Sequence, residues 1–295
     1  MRSKLFVPGS RPELFSKALA SQADGISIDL EDAVVDNRKA EARATVRTWL
    51  QNLDRSSTDK LIIVRVNAMD TPHFTQDIES VVQPGLDVVN LPKPESVEAV
   101  REAVQAVIKA EKAHGVTQPV RILLNIESPQ ALRQAAALAR SDARVMGLQV
   151  GLGDLFEPLG IDRREVAAVQ QILLAVRLAA GEAGIDAYDG AFADVGDADG
   201  FRAEADLARR LGLAGKSCIH PSQIAMANQA FRPSDADIRH ALNVVKAAAA
   251  HDAAGLGAFL VDGRMIDKPF LLRAQHIVSL AQRLNLVPTA SAPSA

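Results

Sequence analysis

Ile122-Leu-Leu-Asn-Ile-Glu127-Ser-Pro129 and its echo Leu148-Gln-Val-Gly-Leu-Gly-Asp154 are apolar runs that each end in a carboxylate. The first is stopped by Ser-Pro, the second opened by two glycines, and both read as strands buried on both faces. Such strands belong to a parallel sheet with helices over it. Chemistry in these sheets gathers at the carboxyl ends of the strands. Glu127 and Asp154 are therefore expected on neighbouring strand ends, facing one pocket. Two hard oxygen ligands without His or Cys beside them suit Mg²⁺ better than zinc. The other reading open to them is capping of the helices that follow.

Working outward, six more segments have the same form. They are Leu5-Phe-Val7, Gly25-Ile-Ser-Ile-Asp29, Leu61-Ile-Ile-Val-Arg65-Val-Asn67, Asp87-Val-Val-Asn-Leu91, Ala187–Phe192 and Gly215–Pro221. Nearly every one precedes a stretch of helical period. Eight strand–helix pairs in about 230 residues predict a (β/α)₈ barrel. No Gly-x-Gly-x-x-Gly follows the first strand, which argues against a dinucleotide-binding sheet. Residues 1–231 are assigned to the barrel and 232–285 to a C-terminal helical extension. That extension contains a hairpin with an Asp262-Gly263 turn and the helix Pro269–Leu284. The small, Pro-containing residues 286–295 read as a disordered tail.

The 295 residues are 48% hydrophobic and 23% charged, ample for a closed core. A net charge of −3 gives no sign of nucleic-acid binding. One cysteine, Cys218, allows no internal disulfide and fits a reducing cytoplasm. Neither a signal-peptide core nor a membrane span is legible.

Arg65 ends an apolar run, as either a buried ion-pair member or an anion clamp. Asp29, Glu31 and Asp32 lie on a strand end that could orient it or bind metal-bound waters. Arg2, Lys4, Arg11 and Lys93 are a basic set that could attract substrate phosphates or simply form a solvated face. His220 and Cys218 have no partners at zinc spacing. Asp267 reads on spacing alone as the N-cap of the last helix.

Taken in order, Arg2-Ser-Lys-Leu-Phe-Val-Pro-Gly9, Asp24-Gly-Ile-Ser-Ile-Asp-Leu-Glu-Asp-Ala-Val34, Val64-Arg-Val-Asn67 and Leu91-Pro-Lys93 resemble the HpcH/HpaI aldolase family. The similarity continues through Asn125-Ile-Glu127-Ser128, Gly151-Leu-Gly-Asp154, Gly215-Lys-Ser-Cys-Ile-His-Pro-Ser-Gln-Ile224 and Gly263-Arg-Met-Ile-Asp-Lys-Pro269. Within the family the chain resembles the citrate lyase beta-subunit-like proteins and the malyl-CoA and citramalyl-CoA lyases. The resemblance implies a (β/α)₈ barrel, Mg²⁺ held by Glu127 and Asp154, and Arg65 on a substrate oxygen. It implies Asp29 and Asp32 as acids supporting that centre. It also implies an acyl-CoA substrate cleaved to acetyl-CoA and a 2-oxo acid. A homotrimer or hexamer is expected, in which Asp267 reaches a neighbouring subunit's site as proton donor. The alternatives are a citrate lyase beta subunit acting on a citryl-acyl-carrier protein, a non-catalytic binding paralogue, and an aldolase of free 2-oxo acids. Where many members carry Ala-Arg-Ser, this chain has Gln171-Ile-Leu-Leu-Ala-Val-Arg177, a departure that bears on the acyl side.

Overall fold

The computed structural model describes residues 1–252 and 258–288. Their contacts divide into two units, residues 1–231 and residues 232–295. Among the described residues no helix is long and apolar enough to cross a membrane.

The first unit is a (β/α)₈ barrel. Its strands are β1 (Ser3–Pro8), β2 (Gly25–Asp29), β3 (Leu61–Arg65), β4 (Val88–Leu91), β5 (Arg121–Ile126), β6 (Val145–Val150), β7 (Asp186–Tyr188) and β8 (Lys216–Cys218). They pair in parallel in the order β7-β6-β5-β4-β3-β2-β1-β8. Side chains alternate between two environments, as the pleat requires. Leu5, Ile28, Val64, Val89, Leu124 and Val150 point outward into the main core under the helices. Inside, a separate apolar floor is built from Ile63, Val88, Leu123 and Tyr188. Two residues further along three of those strands stand Arg65, Asn90 and Asn125, so the interior turns polar toward the strand ends.

The helices follow the expected periods, with differences at their ends. Ser96 caps the helix Val97–His114 by accepting the Ala99 N–H, and Gly115 ends it at φ 67°. The helix expected from Pro129 to Arg140 breaks at Gln134 into Pro129–Arg133 and Ala135–Ala139. The long helix begins at Val166 rather than Arg163, with Glu165 as its cap.

β7 is three residues long, shorter than the expected Ala187–Phe192. Pairing with β6 ends at Tyr188, and the Asp189 backbone pairs on the β8 side alone. The Asp189 carboxylate accepts the Gly190 N–H at 2.8 Å and Lys216 Nζ at 2.6 Å. The β7–β8 seam closes through one parallel bridge, Asp189 to Lys216. Its backbone bonds are Asp189 N–H to Gly215 O at 2.8 Å and Ser217 N–H to Asp189 O at 3.1 Å. Lys216 is fully buried and also donates to Gly190 O at 3.1 Å and to Glu204.

In the second unit the helices Asp235–Asp252 and Lys268–Arg283 and the hairpin β9 (Phe259–Val261)–β10 (Arg264–Ile266) share a core of Ala241, Val244, Val261, Ile266 and Ala274. The hairpin turn is the expected Asp262-Gly263, with φ of 49° and 75°. Two positive values are what a type I′ turn needs. The expected hairpin entry at 254–257 and the tail from 289 onward lie outside the described residues.

Removing the Lys216 ammonium leaves Asp189 buried beside a second carboxylate. Lys216→Met is expected to lower unfolding stability by about 3–5 kcal/mol, and adding Asp189→Asn to recover most of it. Urea unfolding of the barrel measures both; a wild-type midpoint for Lys216→Met would remove this ion pair from the seam.

Candidate active site

The strand ends bring six of the nine expected site residues together: Asp29, Asp32, Arg65, Lys93, Glu127 and Asp154. All but Lys93 line one end of a cavity of about 1360 Å³ whose walls include Phe6, Pro8, Asn125 and Gln149.

Asp29 and Arg65 are direct register partners on β2 and β3. Arg65 Nε donates to Asp29 Oδ1 at 2.7 Å and Nη2 to Oδ2 at 2.6 Å. Nη1 donates to Asp32 at 3.1 Å. The same nitrogen lies 2.9 Å from Glu31 Oε2 as an ion pair without hydrogen-bond alignment, so that buried oxygen lacks a hydrogen-bond donor. Phe6 lies beneath the guanidinium, 5.0 Å from its carbon. Burial disfavours the charge on Arg65, but Asp29, Glu31 and Asp32 override it and hold the group firmly protonated. Burial likewise opposes ionisation of Asp29, yet Arg65 and the Glu31 and Ala33 N–H groups hold it below the usual carboxylate range. Three of the five guanidinium N–H groups are thus spent on Asp29 and Asp32.

Glu127 follows β5 and is buried. It does not cap the next helix, because Ser128 Oγ takes that position by accepting the Ala131 N–H at 3.1 Å. Its Oε1 accepts the Lys93 N–H at 2.9 Å and its Oε2 the Asn125 amide at 3.3 Å. Gly151 makes room for it: a Cβ there would stand 2.5 Å from Glu127 Oε2. Burial, then the neighbouring Glu31 and Asp154 carboxylates, push the Glu127 carboxyl up to about 7. Asp154 lies in the first turn of the helix Leu152–Phe156, its side chain 43% exposed.

Lys93 ties the cluster together from an unusual backbone position, φ 47°. A non-glycine residue there costs about 1–3 kcal/mol and persists only when its surroundings hold it. Here the conformation delivers the backbone N–H to Glu127 and the ammonium to a point 3.3 Å from both Glu31 Oε1 and Asp154 Oδ1. Those carboxylates, despite partial burial, hold the Lys93 ammonium strongly protonated.

This all-oxygen set fits a hard divalent cation. Among the described residues no three His, Cys, Asp or Glu side chains form a ready-made metal cage. Mg²⁺ asks for less, one or two carboxylates with the remaining positions left to water and ligand. Glu127 raised toward protonation by burial and then by its acidic neighbours, and Glu31 Oε2 without a hydrogen-bond donor, are marks of a cluster short of positive charge.

Three expected residues lie elsewhere. Arg2 precedes β1, at the opposite end of the barrel, where it is forked onto Asp24 at 2.8 and 3.0 Å. Lys4 is sealed inside the barrel with 1% exposure, its ammonium on Asn90 Oδ1 at 2.8 Å and 4.2 Å from the Phe6 ring centre. Burial and the Arg65 charge lower its pKa well below that of an ordinary lysine. Neither meets the expectation of a phosphate contact, since one is committed at the wrong end and the other has no access. Asp267 belongs to the second unit. It occupies the N-cap position of the last helix, but its side chain makes no capping bond and its Oδ1 is buried without a hydrogen-bond partner.

Sequence reasoning passed over the ladder below the carboxylates. Lys4 donates to Asn90, Asn90 to Asn125 at 2.8 Å, and Asn125 to Glu127. The signal was there: Asn125 stands two residues before Glu127, on the same face of the strand. His220 pairs with Ser222 at 2.8 Å, and burial pushes the Cys218 thiol up to about 12.

The raised Glu127 sets a pH dependence. A carboxyl moved from 4.5 to about 7 on folding favours the folded state below its unfolded pKa, and the contribution is lost as pH rises through 7. Without divalent cations, stability is expected to fall by roughly 3 kcal/mol from this group between pH 4.5 and 7.5. Thermal unfolding of wild type against Glu127→Gln across that range isolates the term; parallel curves would show that Glu127 titrates normally.

The HpcH/HpaI aldolase/citrate lyase family matches residues 2–221. The chain is 35% identical over 293 residues to citrate lyase subunit beta of Leuconostoc mesenteroides subsp. cremoris, covering 97% of this chain and 95% of that one. It is 33% identical over 306 residues to an L-malyl-CoA/beta-methylmalyl-CoA lyase of Cereibacter sphaeroides, covering 96% and 95%. Among solved structures, protein CitE from Mycobacterium tuberculosis, in complex with magnesium, acetoacetate and coenzyme A, is similar with a TM-score of 0.73 and 31% identity over 95% of this chain and 99% of that one. The chain is therefore a lyase and belongs to the HpcH/HpaI aldolase/citrate lyase family.

Proposed function

We propose that the protein is a Mg²⁺-dependent carbon–carbon lyase. Its substrate is a 3-hydroxy-3-carboxyacyl-CoA of the citramalyl-CoA or malyl-CoA type, cleaved to acetyl-CoA and a 2-oxo acid. The observation that carries this reading is the gathering of Glu31, Glu127 and Asp154 about Lys93, whose ammonium lies 3.3 Å from Glu31 and Asp154 and whose backbone N–H reaches Glu127. A cation is called for at that point, and Glu127 with Asp154 would hold it. When bound, Mg²⁺ supplies Lewis acidity toward a chelated carboxylate and hydroxyl.

The protein's own groups account for the rest. Arg65 presents its guanidinium to the substrate oxygen, where charge develops as the C–C bond breaks. Asp29 and Asp32 position Arg65. Lys93 turns its ammonium to the substrate carboxylate. Asp267, whose carboxylate is not spent on its helix, would take up the proton that the substrate hydroxyl loses and return it to the enolate carbon, from a neighbouring subunit of a homotrimer or hexamer. The single cysteine suits work in the cytoplasm.

A second reading is a citrate lyase beta subunit that takes its thioester on an acyl-carrier protein. It is favoured by the similarity to citrate lyase subunit beta along 97% of the chain.

The test is a cleavage assay of the purified protein on citramalyl-CoA and malyl-CoA, with Mg²⁺ and with chelator. Release of pyruvate or glyoxylate only with the metal is expected. Asp154→Asn should abolish turnover, and Arg65→Lys should lower kcat by about 10²–10³, because lysine cannot reproduce the fork on Asp29. Turnover in chelator would discard the metal, and activity confined to a citryl-carrier thioester would select the second reading.

A further inference from the structure

The cavity does not end at the carboxylates. From Glu127 and Asp154 it runs past Ala191 and Phe192, beyond β7, into a trough between the start of the helix Val166–Glu182 and one face of the helix Ala198–Arg210. Gly200, Ala203 and Leu207 give that face its narrow, apolar surface, recurring at helical spacing. Ile161, Val166 and Val169 form the opposite wall. The full cavity, about 1360 Å³, exceeds the ~300–1,000 Å³ usual for small-ligand pockets.

Two of the charges along the trough, Arg163 and Glu204, are engaged with each other. Arg163 donates to Glu204 at 2.7 Å and to Ala191 O at 3.2 Å, and Glu204 also receives Lys216. Arg164 and Arg210, with the acids Glu157, Asp162, Asp194 and Asp197, are exposed, at the rim. What the trough offers a ligand on its inner walls is apolar surface.

We infer that this trough binds an extended, uncharged side chain on the 2-oxo acid fragment, so that the preferred substrate releases a 2-oxo acid longer than pyruvate. The inference rests on the lyase reading above. We take the oxygen facing Arg65 on β3 to be that of the thioester, and place the 2-oxo acid carboxylate at Glu127 and Asp154, after β5 and β6. The trough opens beyond β7, next to β6 and on the side away from β3. A substituent on the oxo-acid carbon therefore faces the trough, whereas the thioester leaves toward Phe6, Pro8 and Asp32.

The test uses the full-length protein with Mg²⁺ and straight-chain 2-oxo acids of three to six carbons, binding being followed by calorimetry. Each added methylene should tighten Kd by roughly fourfold until the trough is filled. Ala203→Phe, checked for a wild-type thermal midpoint, should abolish the chain-length dependence. A flat or weakening series in wild type overturns the inference. So does a gain confined to thioesters lengthened on the acyl side, or tighter binding of a 2-oxo diacid than of its alkyl counterpart. Because binding is read without turnover, its failure is separable from that of the lyase reading, which the absence of thioester cleavage would show.

Discussion

Arg65 and Asp29 stand side by side on adjacent parallel strands, and their two-pronged contact at 2.6 and 2.7 Å sets the charge balance of everything above it. Glu31, Asp32, Glu127 and Asp154 crowd the same strand ends. A buried carboxylate stays ionised only if a cation or several donors face it. Arg65 meets this need for Asp29 completely and for Asp32 and Glu31 in part. Glu127 receives only one backbone N–H and one amide, so its charge is the one left in question. The site's appetite for a further cation follows from this uneven distribution, and so does the position of Lys93.

Two buried lysines show how differently the barrel interior treats like groups. Lys216 faces Asp189 and Glu204, and although burial opposes its charge, these carboxylates raise its pKa. Lys4 faces a neutral amide and the repulsion of Arg65, and its pKa falls. Desolvation acts on both, and the partner decides the sign. Lys4 is thus no anchor for an anion. It belongs to the polar filling beneath Glu127, which reaches it through Asn90 and Asn125.

Glu127, Asp154, Arg65 and Asp29 were legible because each interrupts or ends an apolar run, a local pattern that needs no knowledge of the fold. The eight-strand count was legible for the same reason. Lys4 was misread because burial inside a closed barrel depends on the pleat of β1, and a lysine near the N-terminus looks like a surface group. Arg2 was misread because sequence places it near Lys4 but not at which end of the barrel it emerges. The capping alternative for Glu127 was settled by one residue, Ser128, whose hydroxyl does the capping. The length of β7 was not legible either, since Asp189 departs from β6 and meets, in backbone and side chain, a lysine 27 positions away.

That departure links the closure of the barrel to the shape of its cavity. β7 and β8 share too few ladder bonds to form an ordinary edge, and the buried Asp189–Lys216 pair spans the gap. Lys216 then meets Glu204, and Glu204 meets Arg163, on the wall of the trough. One line of alternating charge therefore runs from the seam to the cavity lining. Its energetic return is modest, because desolvating four ions offsets much of their attraction. Its structural consequence is larger: each charge is directed at the next, so the trough is left with apolar side chains facing a ligand. A helix presenting Gly200, Ala203 and Leu207 beside charges already paired can select for shape and methylene count, whereas the strand ends select for carboxylate and oxygen. On the proposed reading, the barrel keeps recognition of the reacting group and recognition of its substituent on separate elements, joined at Asp189.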